Sequence, residues 1–271
     1  MNTEPVITET QNGEERRNAI YQLVRQKGFV TIDTLARHFN ITVQTIRRDL
    51  NQLDSEGRLI RYRGGAGPLS SIENIDYNTR QITYLGEKEQ IAQLVAKHIP
   101  EQCSIFLNIG TTTEAVARAL IHHKGLRVIT NNVNIATILA QNTSFNITVT
   151  GGRIRNRDGG ILGPTSCSMI EQYRVDYGII GISGVDEDGT MLDFDDDEVW
   201  AAQAILRSSR KVFLVTDHSK FSRRPMVRVG ELTDIHALFT DRMPPETIMM
   251  LLQSNDIALH IADLGEHTET L

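Results

Sequence analysis

The sequence is poor in cysteine and has no long apolar run. Its 271 residues include two cysteines, Cys103 and Cys167, too few for the disulfide framework of a small secreted protein. No uninterrupted apolar stretch approaches the roughly 20 residues that a membrane-spanning helix needs. The first 15 residues are polar and acidic and lack the apolar segment of a secretion signal. These absences predict a cytoplasmic protein with no membrane partner.

The chain also lacks an overall positive charge, although one segment of it is basic. The formal net charge is −6. Residues 14–67 hold ten Lys or Arg against six Asp or Glu, so that segment carries +4 and the remainder −10. A basic segment on an acidic body predicts one domain for nucleic acid and a second domain with another task. A length of 271 residues is sufficient for two domains of ordinary size.

The basic segment contains the pattern of a helix-turn-helix. Thr31 is placed to cap a helix at Ile32–Phe39, and Thr42 to cap a second helix at Val43–Leu53. Apolar residues recur on one face of the second helix at the spacing of a buried stripe. The cap and the opposite, polar face supply the residues that we expect to contact DNA: Thr42, Gln44, Thr45, Arg47, Arg48 and Asn51. In a major groove, Arg can pair with a guanine edge and Gln or Asn with an adenine edge.

A basic hairpin follows the second helix. Apolar and basic residues alternate in Arg58–Arg63 before Gly64–Gly65, which predicts a wing whose Arg61 and Arg63 contact phosphates. A helix at Glu14–Lys27 would complete the core beneath. The alternative is a surface helix with solvated charges. Two capped helices, a tight turn and a basic hairpin together favour a winged helix-turn-helix that binds double-stranded DNA.

The chain after this segment has the pattern of an α/β protein. We predict a winged helix-turn-helix domain at 14–69, a linker of Ser and other polar residues with weak periodicity at 70–85, and an α/β domain at 86–265. Predicted strands lie at 104–107, 126–130, 145–149, 177–182, 211–215, 235–239 and 257–261, and predicted helices at 87–98, 114–122, 132–141, 166–173, 197–208 and 246–253. Repeated strand–helix units predict a mainly parallel sheet covered by helices.

Polar and glycine-rich segments follow several of these strands. Ligands of such sheets bind at the carboxyl ends of the strands. Gly110 permits a close backbone approach, and the hydroxyls of Thr111 and Thr112 with free helix N–H groups would make an anion cradle. The other strand-end candidates are Asn131, Asn132, Gly151, Gly152, Asp186, Asp217 and Lys220. Each has an alternative role as a turn, a helix cap or a solvated charge, but their recurrence at successive strand ends favours a small phosphorylated ligand.

Two other functions are weaker. The acidic run at Asp193–Glu198 lacks the spacing and glycine of a calcium loop and suits the start of a helix, so we expect no metal or other cofactor. A sugar-phosphate isomerase-like enzyme could use Asp186 as acid or base and Lys220 as electrophile. Because no motif supplies a second acid–base partner, we expect a regulator rather than an enzyme.

Two sets of motifs resemble one family. GFVTIDTLARHFNITVQTIRRDLNQL followed by RYRGGA resembles the DNA-binding domain of the DeoR family of bacterial repressors. NIGTTTEAVARAL, VITNN, TGG, RDGGILG, DYGIIGISGVDEDG and VTDHSKF resemble that family's sensor domain, which is similar to ribose-5-phosphate isomerase. Two places depart from the family pattern: Asn108 replaces a usual Asp, and Val199–Ala204 lacks a common basic residue.

The resemblance implies a function. It implies a repressor of glycerol and glycerol-3-phosphate metabolism genes that glycerol 3-phosphate releases from operator DNA, with another sugar or polyol phosphate as the alternative effector. It also implies that Gly110, Thr111 and Thr112 bind the phosphate and that the other strand-end candidates line the pocket. Because one short helix reads few bases, we expect a homo-oligomer, a dimer or tetramer, on paired half-sites.

Overall fold

The computed structural model describes residues 9–27, 29–62, 64–68 and 77–262. A boundary between Thr83 and Tyr84 separates two compact units. It falls inside the linker predicted at 70–85, and the predicted limits of the two domains stay predictions. Residues 69–76 and 263–265 of those limits lie outside the described residues.

The first unit combines helices with one small sheet. Its elements are α1 (Glu9–Lys27), β1 (Val30–Thr31), α2 (Ile32–Phe39), α3 (Val43–Ser55), β2 (Leu59–Tyr62), β3 (Gly65–Pro68) and α4 (Tyr77–Ile82). The antiparallel sheet has the order β1-β3-β2. Its core includes Ile20 of α1, Leu35 of α2, and Ile46 and Leu50 of α3, all fully buried. The winged helix-turn-helix prediction is therefore confirmed.

Side-chain caps fix where α2 and α3 begin. The Thr31 hydroxyl accepts a hydrogen bond from the Thr34 N–H at 3.1 Å, and the Thr42 hydroxyl accepts one from the Thr45 N–H at 3.3 Å. Asn40, in the left-handed region at φ 51°, closes the turn between the helices. Both predicted helix starts are confirmed.

Part of the secondary structure of this unit was not predicted. Helix α1 begins at Glu9, five residues before the predicted start, because its polar first turns lack an apolar stripe. Helix α4 occupies part of the predicted linker. Strand β1 was missed because two residues are too few to show alternation.

The second unit is a three-layer α/β structure. Its elements are α5 (Leu85–Ala96), β4 (Ser104–Leu107), α6 (Thr111–Ala119), β5 (Arg127–Thr130), α7 (Val133–Leu139), β6 (Asn146–Val149), β7 (Arg153–Arg155), β8 (Gly160–Leu162), α8 (Pro164–Ile170), β9 (Val175–Gly181), β10 (Gly184–Val185), β11 (Thr190–Asp193), α9 (Asp196–Ser208), β12 (Ser209–Val215), β13 (Val227–Glu231), β14 (Ala237–Thr240), α10 (Glu246–Ser254) and β15 (Ala258–Ile261). None of the helices in the described ranges is long and apolar enough to cross a membrane.

Seven strands form the central sheet, in the order β15-β14-β12-β9-β4-β5-β6, and all neighbours are parallel. Alternate residues enter two hydrophobic clusters: Ile179 packs with α5, α6 and α7, and Ile180 packs with α8, α9 and α10. The predicted sheet with helices on its faces is confirmed. A hairpin of β7 and β8 and a small sheet of β10, β11 and β13 were not predicted.

The strand order reverses beside β4. The chain moves outward from β4 to β5 and β6, and then returns to the other side of β4 with β9. In open parallel sheets, the crevice at the carboxyl ends of two such strands is where ligands bind. The loop after β4 begins at Asn108, and β9 ends at Gly181. A Cβ on Gly181 would lie 3.9 Å from Thr113 Cγ2, so these two strand ends adjoin.

Candidate DNA-binding face and effector site

Helix α3 has one buried face and one exposed polar face. Gln44, Arg47, Arg48 and Asn51 are exposed, whereas the apolar residues of the helix lie in the core. The four polar side chains thus share the outer surface that the spacing predicts. Thr42 and Thr45 use their hydroxyls within the helix start: the two hydroxyls lie 2.9 Å apart, and the Thr42 hydroxyl caps the helix. Contact of these residues with DNA stays a prediction.

A buried ion pair orients α3. Asp49 is 4% exposed, and its carboxylate accepts hydrogen bonds from Arg16 Nε at 2.6 Å and Arg16 Nη2 at 3.1 Å. The hydrogen bond to Asp49 raises the pKa of the Arg16 guanidinium above its ordinary value. Sequence reasoning missed this pair. Its only signal was an acidic residue three positions after Ile46, on the apolar stripe.

The hairpin of β2 and β3 is attached to α3. The Arg61 N–H donates to Asp54 Oδ1 at 2.9 Å, and the Arg61 side chain stays exposed. Arg58 instead lies over the Tyr21 ring at 4.7 Å and donates to Asn18 Oδ1 at 2.7 Å, so its role is structural. The predicted phosphate contact Arg63 lies outside the described residues.

Gly110 shapes the loop between β4 and α6. Its φ of +147° is a conformation that suits glycine, and a Cβ there would come 3.2 Å from Thr113 Oγ1. Gly110 caps α6 without any side-chain hydrogen bond, so no side chain at the cap competes with an anion for the N–H groups of the first turn. The helix predicted from Glu114 starts at Thr111 instead. The first turn was missed because its three threonines have a low helix propensity. Thr111 and Thr112 of this turn are each 8% exposed.

Asn131 and Asn132 are adjacent in sequence but differ in their contacts. Asn132 caps α7, with its Oδ1 accepting from the N–H groups of Asn134 at 2.7 Å and Ile135 at 3.2 Å. Asn131 is 1% exposed, and neither polar atom of its side chain has a hydrogen-bond partner among the described residues. Such a group is costly unless a ligand or water satisfies it. Because Leu107 pairs with Thr130, Asn131 follows β5 beside the loop that contains Gly110.

The hairpin of β7 and β8 packs against these loops. Its Ile161 N–H donates to the Asn131 carbonyl at 2.7 Å. A Cβ on Gly160 would come 2.9 Å from Ile109 Cδ1. Gly152, at φ +139°, opens the hairpin, where a Cβ would lie 2.7 Å from the Leu162 carbonyl oxygen. Gly151 lies in the same turn and is exposed. These two glycines therefore shape the backbone next to the site.

Ion pairs fasten this hairpin to α9. Arg155 contacts Asp158 at 2.6 Å, Asp195 at 2.7 Å and Glu198 at 2.5 Å. Burial would lower the pKa of Arg155, but the hydrogen bond to Asp158 and the charge of Glu198 raise it above its ordinary value. Asp195 also caps α9, accepting from the Asp197 N–H at 3.0 Å. The acidic run thus serves as helix cap and ion-pair partner. No group of three residues suited to a metal occurs within the described ranges.

Asp186 occupies a turn between β10 and β11. Its N–H donates to the Thr190 carbonyl at 2.9 Å, and its Oδ1 accepts from the Glu187 N–H at 2.9 Å. The same Oδ1 lies 3.4 Å from Arg224 Nε. These are the contacts of a turn, and none of them joins Asp186 to the loop of Gly110 in the part of the chain that the structure describes.

Asp217 lies in a buried charged cluster after β12. It is 1% exposed and accepts a hydrogen bond from the Ser219 N–H at 3.0 Å. Burial would raise the pKa of Asp217, but the charges of Lys220 and Lys88 hold it below its ordinary value. Lys88, on α5, is 4% exposed. Sequence reasoning missed it because a lysine in an amphipathic helix is usually solvated. Two hydroxyls are buried without a hydrogen-bond partner among the described residues: that of Thr216, which precedes Asp217, and that of Thr240, which ends the neighbouring strand β14.

A helix-turn-helix with an exposed polar recognition face, followed by an α/β unit with polar groups buried at its strand ends, defines a DNA-binding regulator with a sensor unit. Residues 16–71 match the DeoR-like helix-turn-helix domain, and residues 84–242 match the DeoR C terminal sensor domain. The chain belongs to the DeoR family, and it is a transcriptional repressor rather than an enzyme.

Its relatives include two proteins named glycerol-3-phosphate regulon repressor. The one from Escherichia coli (strain K12) is 45% identical over 91% of this chain and 98% of its own. The one from Haemophilus influenzae is 48% identical over 84% of this chain and 89% of its own. The chain is also similar to ribose 5-phosphate isomerase A from Methanocaldococcus jannaschii, with a TM-score of 0.39 and 14% identity over 52% of this chain and 56% of that one.

Proposed function

We propose that this repressor controls genes of glycerol and glycerol-3-phosphate metabolism and that glycerol 3-phosphate releases it from operator DNA. The names of the two relatives above support the regulon. The observation that carries the effector site is Asn131, a buried amide without a partner among the described residues, beside the glycine-capped start of α6. A bound phosphate ester would satisfy both groups.

Each part of the effector has a proposed contact. The N–H groups and hydroxyls of Thr111 and Thr112 surround the phosphate, with Gly110 allowing its close approach. Lys220 supplies a cation and Asp217 accepts hydrogen bonds from polyol hydroxyls. Asn132, Gly151 and Gly152 hold the surrounding backbone, and Asp186 closes a turn of the same domain.

The DNA-binding face has a matching assignment. Gln44, Arg48 and Asn51 contact base edges, with Arg47 beside them, and Arg61 contacts phosphate; Arg63, outside the described residues, is assigned to phosphate as well. Two copies of the chain would place two such faces on paired half-sites in the cytoplasm, as a dimer or within a tetramer.

A titration tests both domains together. Full-length protein is titrated onto promoter fragments from glycerol-metabolism genes at fixed salt, with and without glycerol 3-phosphate. We expect release by that ester and no release by glycerol or inorganic phosphate. Specific binding that glycerol 3-phosphate does not alter would overturn the proposed effector and leave the repressor assignment intact.

A second effector class rests on Asn108. Its side chain is 5% exposed, and its Oδ1 accepts from the Ile109 N–H at 2.8 Å, so an amide stands in the cradle where the family resemblance implies a carboxylate. An amide donates as well as accepts hydrogen bonds, so the pattern of hydroxyls that fits beside it differs from the pattern that fits a carboxylate. Another sugar or polyol phosphate is therefore the second candidate effector. The same titration with fructose, glucose and ribose phosphates decides between them.

A further inference from the structure

Lys88 is a buried cation in an unfavourable position. It is the fourth residue of α5, which begins at Leu85, and the amino-terminal end of a helix disfavours positive charge. Lysine is rarely buried unless it is paired, and Lys88 is 4% exposed. An anion must therefore compensate it. Asp217 provides one negative charge at this place, and Lys220 shares that charge.

The segment around Asp217 is packed against the start of the same helix. The Tyr84 ring, just before α5, meets the His218 ring edge-on at a centroid distance of 4.8 Å. His218 is in turn fixed to Asp241, with 2.7 Å between its N–H and Oδ1 and 2.6 Å between its Nδ1 and Oδ2. The loop after β12 and the first turn of α5 thus form one packed assembly at the carboxyl end of the sheet.

The same turn of α5 is where the chain enters the sensor unit. The unit boundary precedes Tyr84, and Lys88 follows it by four residues. Tyr84 has a φ of 54°, a conformation that is uncommon for a residue other than glycine. A change in the position of Lys88 would therefore act on the point at which the linker joins the sensor.

From this arrangement, and resting on the proposed function, we infer that Lys88 is a second cation of the effector site and couples a bound phosphate ester to the linker. Lys88 and Lys220 bind the phosphate group from two different elements, α5 and the loop after β12. Asp217 holds both ammonium groups in place before the effector arrives. Binding draws the first turn of α5 onto the effector, and that movement is passed to the linker through Tyr84.

The test compares three full-length proteins: wild type, Lys88→Met and the control Lys97→Met, which removes an exposed lysine at the other end of α5. Calorimetry measures glycerol 3-phosphate affinity, and a DNA titration measures operator affinity without effector. Losing one charge-assisted contact should weaken effector binding by roughly 10- to 100-fold. Operator affinity should be unchanged, Lys97→Met should match wild type, and Lys88→Arg should restore part of the loss.

Other outcomes overturn the inference in distinguishable ways. Wild-type protein that ignores glycerol 3-phosphate refutes the proposed effector, and the inference with it, before any variant is considered. Normal effector binding by wild type and Lys88→Met alike shows that Lys88 is only a structural partner of Asp217. If Lys88→Met does not fold, hydrogen exchange on wild type decides: slower exchange in Leu85–Ala96 on effector binding is expected, and unchanged exchange there refutes the coupling.

Discussion

At the residue scale, Asn131 and Asn132 have different expected roles: Asn131 binds the effector, and Asn132 stabilises the fold. Asn131→Ala removes an amide without a partner among the described residues, so the free energy of unfolding should change by less than about 0.5 kcal/mol. Effector affinity should fall roughly 10-fold, because a hydrogen bond to a charged group is lost. Calorimetry with glycerol 3-phosphate and urea unfolding measure the two quantities.

Asn132→Ala is the matched comparison. It removes the cap of α7, and loss of such a cap costs about 1 kcal/mol of stability. Urea unfolding should therefore distinguish the two alanine variants. Equal destabilisation by both would show that Asn131 has a structural partner in solution, which would contradict its assignment to the effector.

His260 predicts a pH dependence of stability. Burial and then the nearby charge of His98 lower the pKa of His260 from its ordinary value of 6.5; the two rings are 4.2 Å apart. The unfolded chain therefore binds this proton more readily than the folded chain. Stability should fall as the pH drops through about 6.5. Urea unfolding between about pH 8 and pH 5.5 should show a smaller slope for His260→Gln, and an unchanged slope would contradict the prediction.

At the element scale, the orientation of α3 depends on Arg16. Arg16→Ala leaves Asp49 buried, and the remaining cation beside it among the described residues is Arg17, whose Nη1 lies 3.8 Å away. Breaking a buried pair is strongly destabilising, and partial exposure of Arg16 reduces the cost here to about 2–3 kcal/mol. Thermal unfolding of the first unit should show this loss of stability. The control is Arg37→Ala on the exposed side of α2, where a change of similar size would refute the explanation.

The recognition helix and the wing should differ in what they read. Arg48→Ala should cost roughly 1–3 kcal/mol of operator binding and little of non-specific binding, because a base contact is lost. Arg61→Ala should weaken both equally and reduce the slope of log affinity against log salt by about 1. Fluorescence titrations on operator and random DNA at several salt concentrations measure both. Identical behaviour of the two variants would contradict this division of roles.

Elements with local signals could be predicted from the sequence, and elements that depend on distant partners could not. Strand β4 and the starts of α2 and α3 were located correctly, because caps and periodicity act within a few residues. The hairpin of β7 and β8 was not found, since the ion pairs of Arg155 with Asp195 and Glu198 join residues 40 or more positions apart. Lys88 was overlooked for the same reason: its burial arises only when α5 packs against α6 and β14.

At the scale of the whole molecule, DNA release requires the two units to influence each other's binding. An effector that binds both states equally shifts nothing, however tightly it binds. Thermodynamic linkage then requires operator DNA to weaken effector binding by the same factor by which the effector weakens operator binding. For a coupling of 1–3 kcal/mol, that factor is roughly 5- to 150-fold.

This reciprocity is measurable with the full-length protein. Glycerol 3-phosphate affinity is determined by calorimetry on free protein and on protein saturated with operator fragment, and operator affinity is determined with and without the effector. We expect the two ratios to agree. Lys88→Met should reduce both ratios together, because the inferred coupling passes through its side chain. Arg48→Ala should instead weaken operator binding and leave the effector affinity of the free protein unchanged. Equal effector affinity in free and DNA-bound wild-type protein would rule out release of DNA by glycerol 3-phosphate at equilibrium, because linkage requires a shift between two states and direct competition alike to weaken effector binding to the DNA-bound protein.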